Sequence, residues 1–360
     1  MNVRTKALAT LAGATAVAVA GISVSALTAP ASAVSSANPY APDYQHSYRH
    51  GVIPNLQTKA KMSAWASHNG SRKATGTRTL SYGGGVDGIG VTTGHSKVYL
   101  VFYGTQWGTA TTSSGITSFS GDPKGGAPVA QKFFKGIGTG GETWSNVLQQ
   151  YCQGVAYGTT NCGSSGTHIP AQTGGVLSGV WYDNSGASPS AASAAQLGNE
   201  AVRAAAHFGN TTASANRNAY YVILSPHGTN PDHYQGSYCA WHDWNGDVGV
   251  SSPYGDLAFS NQPYNMDSGA GCGVGFINSP GTLDGWTMTL GHEWAEMMTD
   301  QNPAGGWTNH TNSSYSGEEN ADECAWLSSG TGHAANVSFG TGTFALQGSW
   351  SNATNACRLT

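Results

Sequence analysis

Residues 286–298 combine large apolar side chains with a histidine and two glutamates, and this combination strongly limits what the chain can fold into. The apolar members are Trp286, Met288, Leu290, Trp294, Ala295, Met297 and Met298. They predict a helix over 283–298 that is largely buried. Because a buried carboxylate without a partner is very costly, the fold must bring partners to Glu293 and Glu296. A bound cation would be one such partner.

The polar residues of this helix form the pattern His292-Glu293-x-x-Glu296. Spacing by four places His292 and Glu296 on one face of the helix, where both can contact the same metal ion. The pattern resembles the H-E-x-x-H helix of zinc peptidases (zincins), with a glutamate in place of the second histidine. The resemblance implies that Glu293 is the general base that activates water.

A second acidic cluster follows at residues 318–323, so that five of the seven glutamates lie between positions 293 and 323. Zincins with a glutamate as third ligand take it from a second helix about twenty residues downstream. Glu319 lies twenty-three residues after Glu296. We therefore expect His292, Glu296 and Glu319 to be metal ligands, with Asp322 hydrogen-bonded to the free ring nitrogen of His292.

The alternative for both clusters is a pair of exposed acidic helices without a metal. On a helix, Glu318 and Glu323 would point about 100° away from Glu319 and Asp322, so we do not expect them to be ligands. A histidine with carboxylates and a spare glutamate favours zinc. The oxygen-rich set also leaves manganese, or a structural calcium ion, open.

A wider set of residues resembles one protein family. It comprises residues 283–285, the motif at 292–296, Thr299, Asn302-Pro303, Trp307 and Glu319-x-Ala321-Asp322-x-Cys324, with weaker matches at 98–107 and 220–242. Over about residues 95–357 the chain resembles the phosphate-induced (exordium) proteins of plants and their bacterial relatives. The resemblance implies a secreted protein that acts at or beyond the cell wall, and it names no substrate.

The same resemblance includes a histidine at position 242, for which we expect a transition-state hydrogen bond. His227, His233, Tyr234 and Tyr238 are alternatives for that role. The family pattern also has cysteines where this chain has Gln235 and Ser268, so one disulfide of the family is missing here.

The amino terminus has the pattern of an export signal. Arg4 and Lys6 precede an uncharged run rich in Ala, Val and Leu over 7–29, and Ala31-Ser32-Ala33 fits a signal-peptidase site. We predict a signal peptide over 1–33 and a secreted protein, with a membrane anchor as the minor alternative.

All six cysteines lie after this segment, and an even number in an oxidising compartment predicts disulfides. Pairing between nearest neighbours closes short or moderate loops and is the pairing that we expect. It joins Cys152 to Cys162, Cys239 to Cys272 and Cys324 to Cys357.

Hydrophobic periodicity predicts helices at 143–152, 191–208 and 283–298 and strands at 97–103, 176–182, 219–225 and 344–347. This alternation indicates an α+β or α/β fold, in which helices flank a mixed sheet and the metal helix packs against it. We expect one disulfide-stapled domain over 86–360.

Charge divides the mature chain into two parts. Residues 34–135 have ten Lys/Arg and three Asp/Glu, a net of +7, whereas residues 136–360 have three and sixteen, a net of −13. The basic, polar residues 34–85 are either a solvated arm or a pro-segment that ends near 83–85 and folds over the acidic cleft. The overall negative charge argues against nucleic-acid binding, and we expect a monomer without a membrane partner after signal cleavage.

Two classes of function fit these patterns best. The first is a metal-dependent hydrolase, above all a zinc endopeptidase that acts on an extracellular protein or peptide. The second is a secreted protein that binds cell-wall glycans and holds a structural metal ion. It draws on tryptophans that could stack on sugars: Trp241, Trp244, Trp286, Trp294, Trp307, Trp326 and Trp350. An Asp/Glu glycosidase pair is a third possibility.

Overall fold

A computed structural model of the protein describes residues 38–68, 77–311 and 315–360. The predicted signal peptide lies outside the described residues. The α-helices are α1 Leu56–His68, α2 Gly126–Gly136, α3 Ala194–His207, α4 Ala213–Asn216 and α5 Asp284–Thr299. Short 3-10 helices occur at Thr105–Trp107, Trp144–Gln150, Pro231–His233, Asn265–Cys272 and Asp322–Cys324.

The strands are β1 Ser81–Tyr82, β2 Lys97–Tyr103, β3 Ala110–Ser113, β4 Ile116–Phe119, β5 Cys152–Gln153, β6 Thr167–His168, β7 Leu177–Asp183, β8 Ala219–Leu224, β9 Trp241–Trp244, β10 Ala258–Gln262, β11 Trp307–Thr308, β12 Ala335–Phe339, β13 Gly342–Leu346, β14 Ser349–Ser351 and β15 Ala356–Arg358.

The central sheet has five strands in the order β7-β2-β8-β10-β9. The first four run parallel, and β9 pairs antiparallel with β10 at one edge. Every residue of β8 is buried, as expected for a parallel strand that is covered on both faces. Strand β9 carries His242, so one candidate site residue lies on the edge strand of the sheet.

Alternate residues of each strand face two different layers. On one face Val98, Leu100, Tyr220 and Val222 share a hydrophobic core with α2 and α5. On the other face Tyr99, Val101, Tyr221 and Ile223 pack with α3. The sheet is therefore flanked by helices on both faces, and α5 lies against it with all its residues buried.

The predicted fold class is confirmed. The helices expected at 191–208 and 283–298 are α3 and α5, and the four expected strands are β2, β7, β8 and β13. Helix α3 begins with a capping box, in which the Ser193 side chain accepts from the Gln196 backbone N–H and the Gln196 side chain returns the bond. The segment predicted as a helix at 143–152 is a 3-10 helix followed by a short strand.

All three expected disulfides are present, joining Cys152 to Cys162, Cys239 to Cys272 and Cys324 to Cys357. The described residues form one compact unit, which includes those of the basic segment 34–85. Leu80 and Tyr82 belong to the main hydrophobic core, and β1 pairs with β11. In the described ranges, no helix has the length and apolarity needed to cross a membrane.

Candidate metal centre

The candidate site is a cluster of six side chains, which we call the acidic cluster: His242, His292, Glu293, Glu296, Glu319 and Asp322. The first five are at most 1% exposed, and the Asp322 side chain is 14% exposed. Helix α5 supplies three of these residues, β9 supplies His242, and the segment around the last 3-10 helix supplies the other two. The fold therefore brings together every site residue that the sequence predicts.

Helix α5 brings His292 and Glu296 into contact, as their spacing predicts. The Nε2 atom of His292 lies 3.0 Å from Oε1 of Glu296 and 3.4 Å from Oδ1 of Asp322. The expected bond between Asp322 and the other ring nitrogen is wrong, because Asp322 faces the same nitrogen as Glu296. Asp322 therefore lies on the ligand side of the histidine.

Gln347 takes the orienting role instead, with Oε1 3.2 Å from Nδ1 of His292. Its amide nitrogen donates to the carbonyl of Ala321 at 2.8 Å, which fixes the orientation of the amide. Nδ1 of His292 therefore carries the proton, and Nε2 faces two carboxylates. Such an arrangement requires a proton or a cation at Nε2.

Glu319 and Asp322 are held by a turn rather than by the second helix that zincins imply. Backbone N–H groups of Ala321 and Asp322 donate to Oε1 of Glu296, at 3.2 and 3.0 Å. The Asn320 side chain donates to the carbonyl of Ala295 on α5 at 3.1 Å. The turn is thus attached directly to α5, because its amides need acceptors that a continuous helix would have supplied internally.

Glu323 lies outside the acidic cluster, as the sequence predicts. Its side chain is 3.4 Å from Nε of Arg78 and accepts from the Asn309 amide at 3.1 Å.

His242 lies among three glutamates. Nδ1 is 3.3 Å from Oε2 of Glu293 and 3.7 Å from Oε2 of Glu296, whereas Nε2 is 3.6 Å from Oε2 of Glu319. Burial, together with His50 and His292, holds the pKa of His242 well below its usual range. The neutral ring is therefore able either to donate one hydrogen bond or to bind a metal ion.

The carboxylates of the cluster are strongly perturbed. Burial raises the pKa of Glu296 to about 7, and burial with neighbouring carboxylates raises the pKa of Glu293 and Glu319 well above the usual range. Burial disfavours a charged His292, but Glu296 and Asp322 outweigh it and raise the pKa of that imidazole. The fold thus gathers more negative charge than its own side chains neutralise.

Unpartnered polar atoms test whether a cation fits. Five buried atoms of the cluster make no contact with hydrogen-bond geometry, although His292 Nε2 lies 3.0 Å from Oε1 of Glu296: His242 Nε2, His292 Nε2, Glu293 Oε1, Glu296 Oε2 and Glu319 Oε2. Two triads of the cluster have donor atoms within 4.8 Å of one another, namely His242, Glu293 and Glu296, and His292, Glu296 and Asp322. Imidazole and carboxylate donors without partners are what a divalent ion requires, so the residues fit the expected metal.

No protein-family model, curated protein or solved structure matches the chain. The resemblance to phosphate-induced proteins stays a prediction.

The other aromatic and histidine candidates lie elsewhere. Tyr238 donates to the carbonyl of Asp232 at 2.8 Å, and Tyr234 donates to the carbonyl of Tyr264 at 3.2 Å. His227 is exposed and pairs with Asp267 at 2.7 Å.

Two residues of the site carry no signal in the sequence. Gln347 belongs to a region for which the sequence predicts a strand and no site residue. Tyr220 belongs to the apolar run of β8, yet burial, with added contributions from Glu293 and Glu296, raises the pKa of its hydroxyl well above the usual range. A sequence pattern that is local to α5 cannot reveal partners that come from distant strands.

Most of the tryptophans named for sugar stacking are buried. Six of the seven named for that role are at most 8% exposed: Trp241, Trp286, Trp294, Trp307, Trp326 and Trp350. They therefore give no support to the glycan-binding alternative.

Proposed function

We propose that the chain is a secreted, metal-dependent hydrolase that cleaves peptide bonds in extracellular proteins or peptides, with zinc as its metal. The observation that carries this proposal is the set of unpartnered imidazole and carboxylate atoms in the buried acidic cluster. The ion would be held by His292, Glu296 and Asp322, whose donor atoms lie within 4.8 Å of one another, whereas Glu319, the ligand expected from the sequence, faces His242 instead. When bound, a divalent metal ion supplies the positive charge that polarises a carbonyl group and acidifies water.

Glu293 is the general base of the proposed reaction. Its Oε1 atom has no partner, so it is free to accept a proton from water. Burial raises the pKa of this carboxyl, so its ionised form is a stronger base than that of an exposed glutamate, and the protonated form could then donate to the leaving amine. His242 holds the ring N–H that would donate to the oxygen of the attacked carbonyl.

The proposed test compares the secreted wild-type protein with Glu296→Ala and Glu293→Gln. We would measure metal content by elemental mass spectrometry and hydrolysis of casein in the same samples. We expect Glu296→Ala to lose both zinc and hydrolysis, and Glu293→Gln to keep zinc but lose hydrolysis. The matched control is Glu142→Gln, which lies outside the acidic cluster and should keep both.

The outcomes separate the competing functions. If the Glu293→Gln variant binds zinc and hydrolyses casein as fast as the wild type, Glu293 is not the general base. Zinc without hydrolysis in any sample would favour a structural ion, and the absence of metal from all samples would overturn the proposed site. His242→Gln, measured alongside, should keep zinc and lose hydrolysis if His242 is a hydrogen-bond donor rather than a ligand.

A further inference from the structure

The basic amino-terminal segment contains a strand-like stretch, residues 49–55, which we call the arm strand. It lies antiparallel to β9 and the residues just before it, with bridges between His50 and His242 and between Pro54 and Tyr238. The backbone N–H of His242 donates to the carbonyl of His50 at 3.1 Å. The N–H of Ile53 donates to the carbonyl of Ala240 at 3.1 Å. The arm strand therefore covers the edge of the central sheet.

Gly51 brings the arm strand against the acidic cluster. A Cβ atom at this position would lie 1.9 Å from Oε2 of Glu296 and 2.7 Å from Nδ1 of His242. These are the side chains to which the proposed function assigns metal binding and transition-state stabilisation. The backbone of Gly51 thus occupies the space where a substrate would meet them, and no larger residue fits there.

Side chains on both sides of Gly51 fasten the arm strand. Nε of Arg49 lies 2.7 Å from Oδ2 of Asp232, and both groups are buried. The Ile53 side chain is 1% exposed, and the indole N–H of Trp326 donates to the carbonyl of Pro54 at 2.8 Å. The arm strand thus lies in a groove beside β9. This groove has an acidic pocket, formed by Asp232, on one side of Gly51 and an apolar pocket, which holds Ile53, on the other.

We propose that the groove beside β9 is the binding site for an extended polypeptide substrate, and that the arm strand fills it as an internal, displaceable inhibitor. This inference rests on the proposed function. The β9 backbone would pair with any extended chain, whereas the pockets select its side chains. The preferred substrate has a basic residue, a glycine two positions later and an apolar residue two positions after that, as in Arg49, Gly51 and Ile53.

The conformation of Gly51 explains why the arm strand would resist cleavage. Its φ of +51° lies in the left-handed region, so the chain leaves the extended path at the residue that faces the acidic cluster. Its peptide bonds are therefore turned away from the geometry that an extended substrate would present. Displacement of the arm strand leaves β1 in the core, because β1 is held separately by β11.

The test uses full-length, zinc-loaded protein with Arg49→Ala or Ile53→Asp, each of which removes one anchor. Gln57→Ala, on the exposed face of α1, is the control. We expect hydrolysis of casein to rise by about tenfold or more in both anchor variants, since an arm strand closed nine-tenths of the time reduces activity by that factor. Hydrogen exchange at the amide of His242 should accelerate in the same variants and stay slow in the control.

Synthetic peptides provide the second measurement. A peptide of residues 46–56 should bind the anchor variants in a fluorescence anisotropy assay and return hydrolysis to the wild-type level. The same peptide with Gly51→Ala should do neither, because its Cβ atom has no room beside Glu296. Binding by both peptides alike would overturn the proposed groove.

The remaining outcomes distinguish the inference from the proposed function. Fast exchange in the anchor variants with hydrolysis equal to wild type would overturn the inhibitor and leave the peptidase intact. Anchor variants that bind zinc and the peptide but hydrolyse nothing would overturn the proposed function and the inhibitor with it.

Discussion

The pKa of Glu296 gives a quantitative prediction about metal-free protein. Its usual value is 4.5, and burial raises it to about 7. Between these values the native protein keeps a proton that the unfolded chain has released, so stability falls as pH rises. The full effect is about 3 kcal/mol, of which about 2 kcal/mol falls between pH 5 and pH 8. Other cluster carboxylates act in the same direction.

The assay is equilibrium urea unfolding with a chelator present, at pH 5 and at pH 8, on wild type and Glu296→Gln. The glutamine cannot titrate, so we expect the loss of stability between the two pH values to be about 2 kcal/mol smaller in the variant. Added zinc should reverse the trend in the wild type, because a cation replaces the proton at pH 8. Equal pH dependence in wild type and variant, without metal, would refute the reasoning.

Three further predictions concern the supports of the site. Gln347→Ala should weaken zinc binding about 10- to 100-fold in a competition titration, because His292 loses the acceptor that orients it, and it should also lower the free energy of unfolding by about 1 to 3 kcal/mol, because the buried Ala321 carbonyl loses its donor. Cys324→Ser with Cys357→Ser opens a loop with a sequence separation of 33 and should lower the free energy of unfolding by about 4 kcal/mol; an unchanged urea midpoint would contradict this. Asn320→Ala should cost about 1 to 3 kcal/mol in the same assay, since it removes the amide that ties the turn to α5.

The sequence predicts those parts of the site that depend on local spacing. The pattern of α5 is enough to place His292 and Glu296 together, and a buried apolar run is enough to predict β8. The predicted orientation of Asp322 was wrong because the prediction assumed that this segment is a helix. In the structure it is a turn, and backbone amides of the turn donate to Glu296. The partner of His292, Gln347, and the approach of Gly51 depend on contacts between segments far apart in sequence. Such contacts follow from the packing of the sheet and leave no periodic signal.

The pairing of the arm strand with β9 also bears on self-association. A sheet edge with free N–H and C=O groups is a template for pairing with another chain. While residues 49–55 cover that edge, two copies of the protein cannot join their central sheets there. Departure of the arm strand would expose the edge and the acidic cluster together. A polypeptide substrate and a second opened copy of the protein would then compete for the same exposed edge. Activity per molecule should then fall as protein concentration rises.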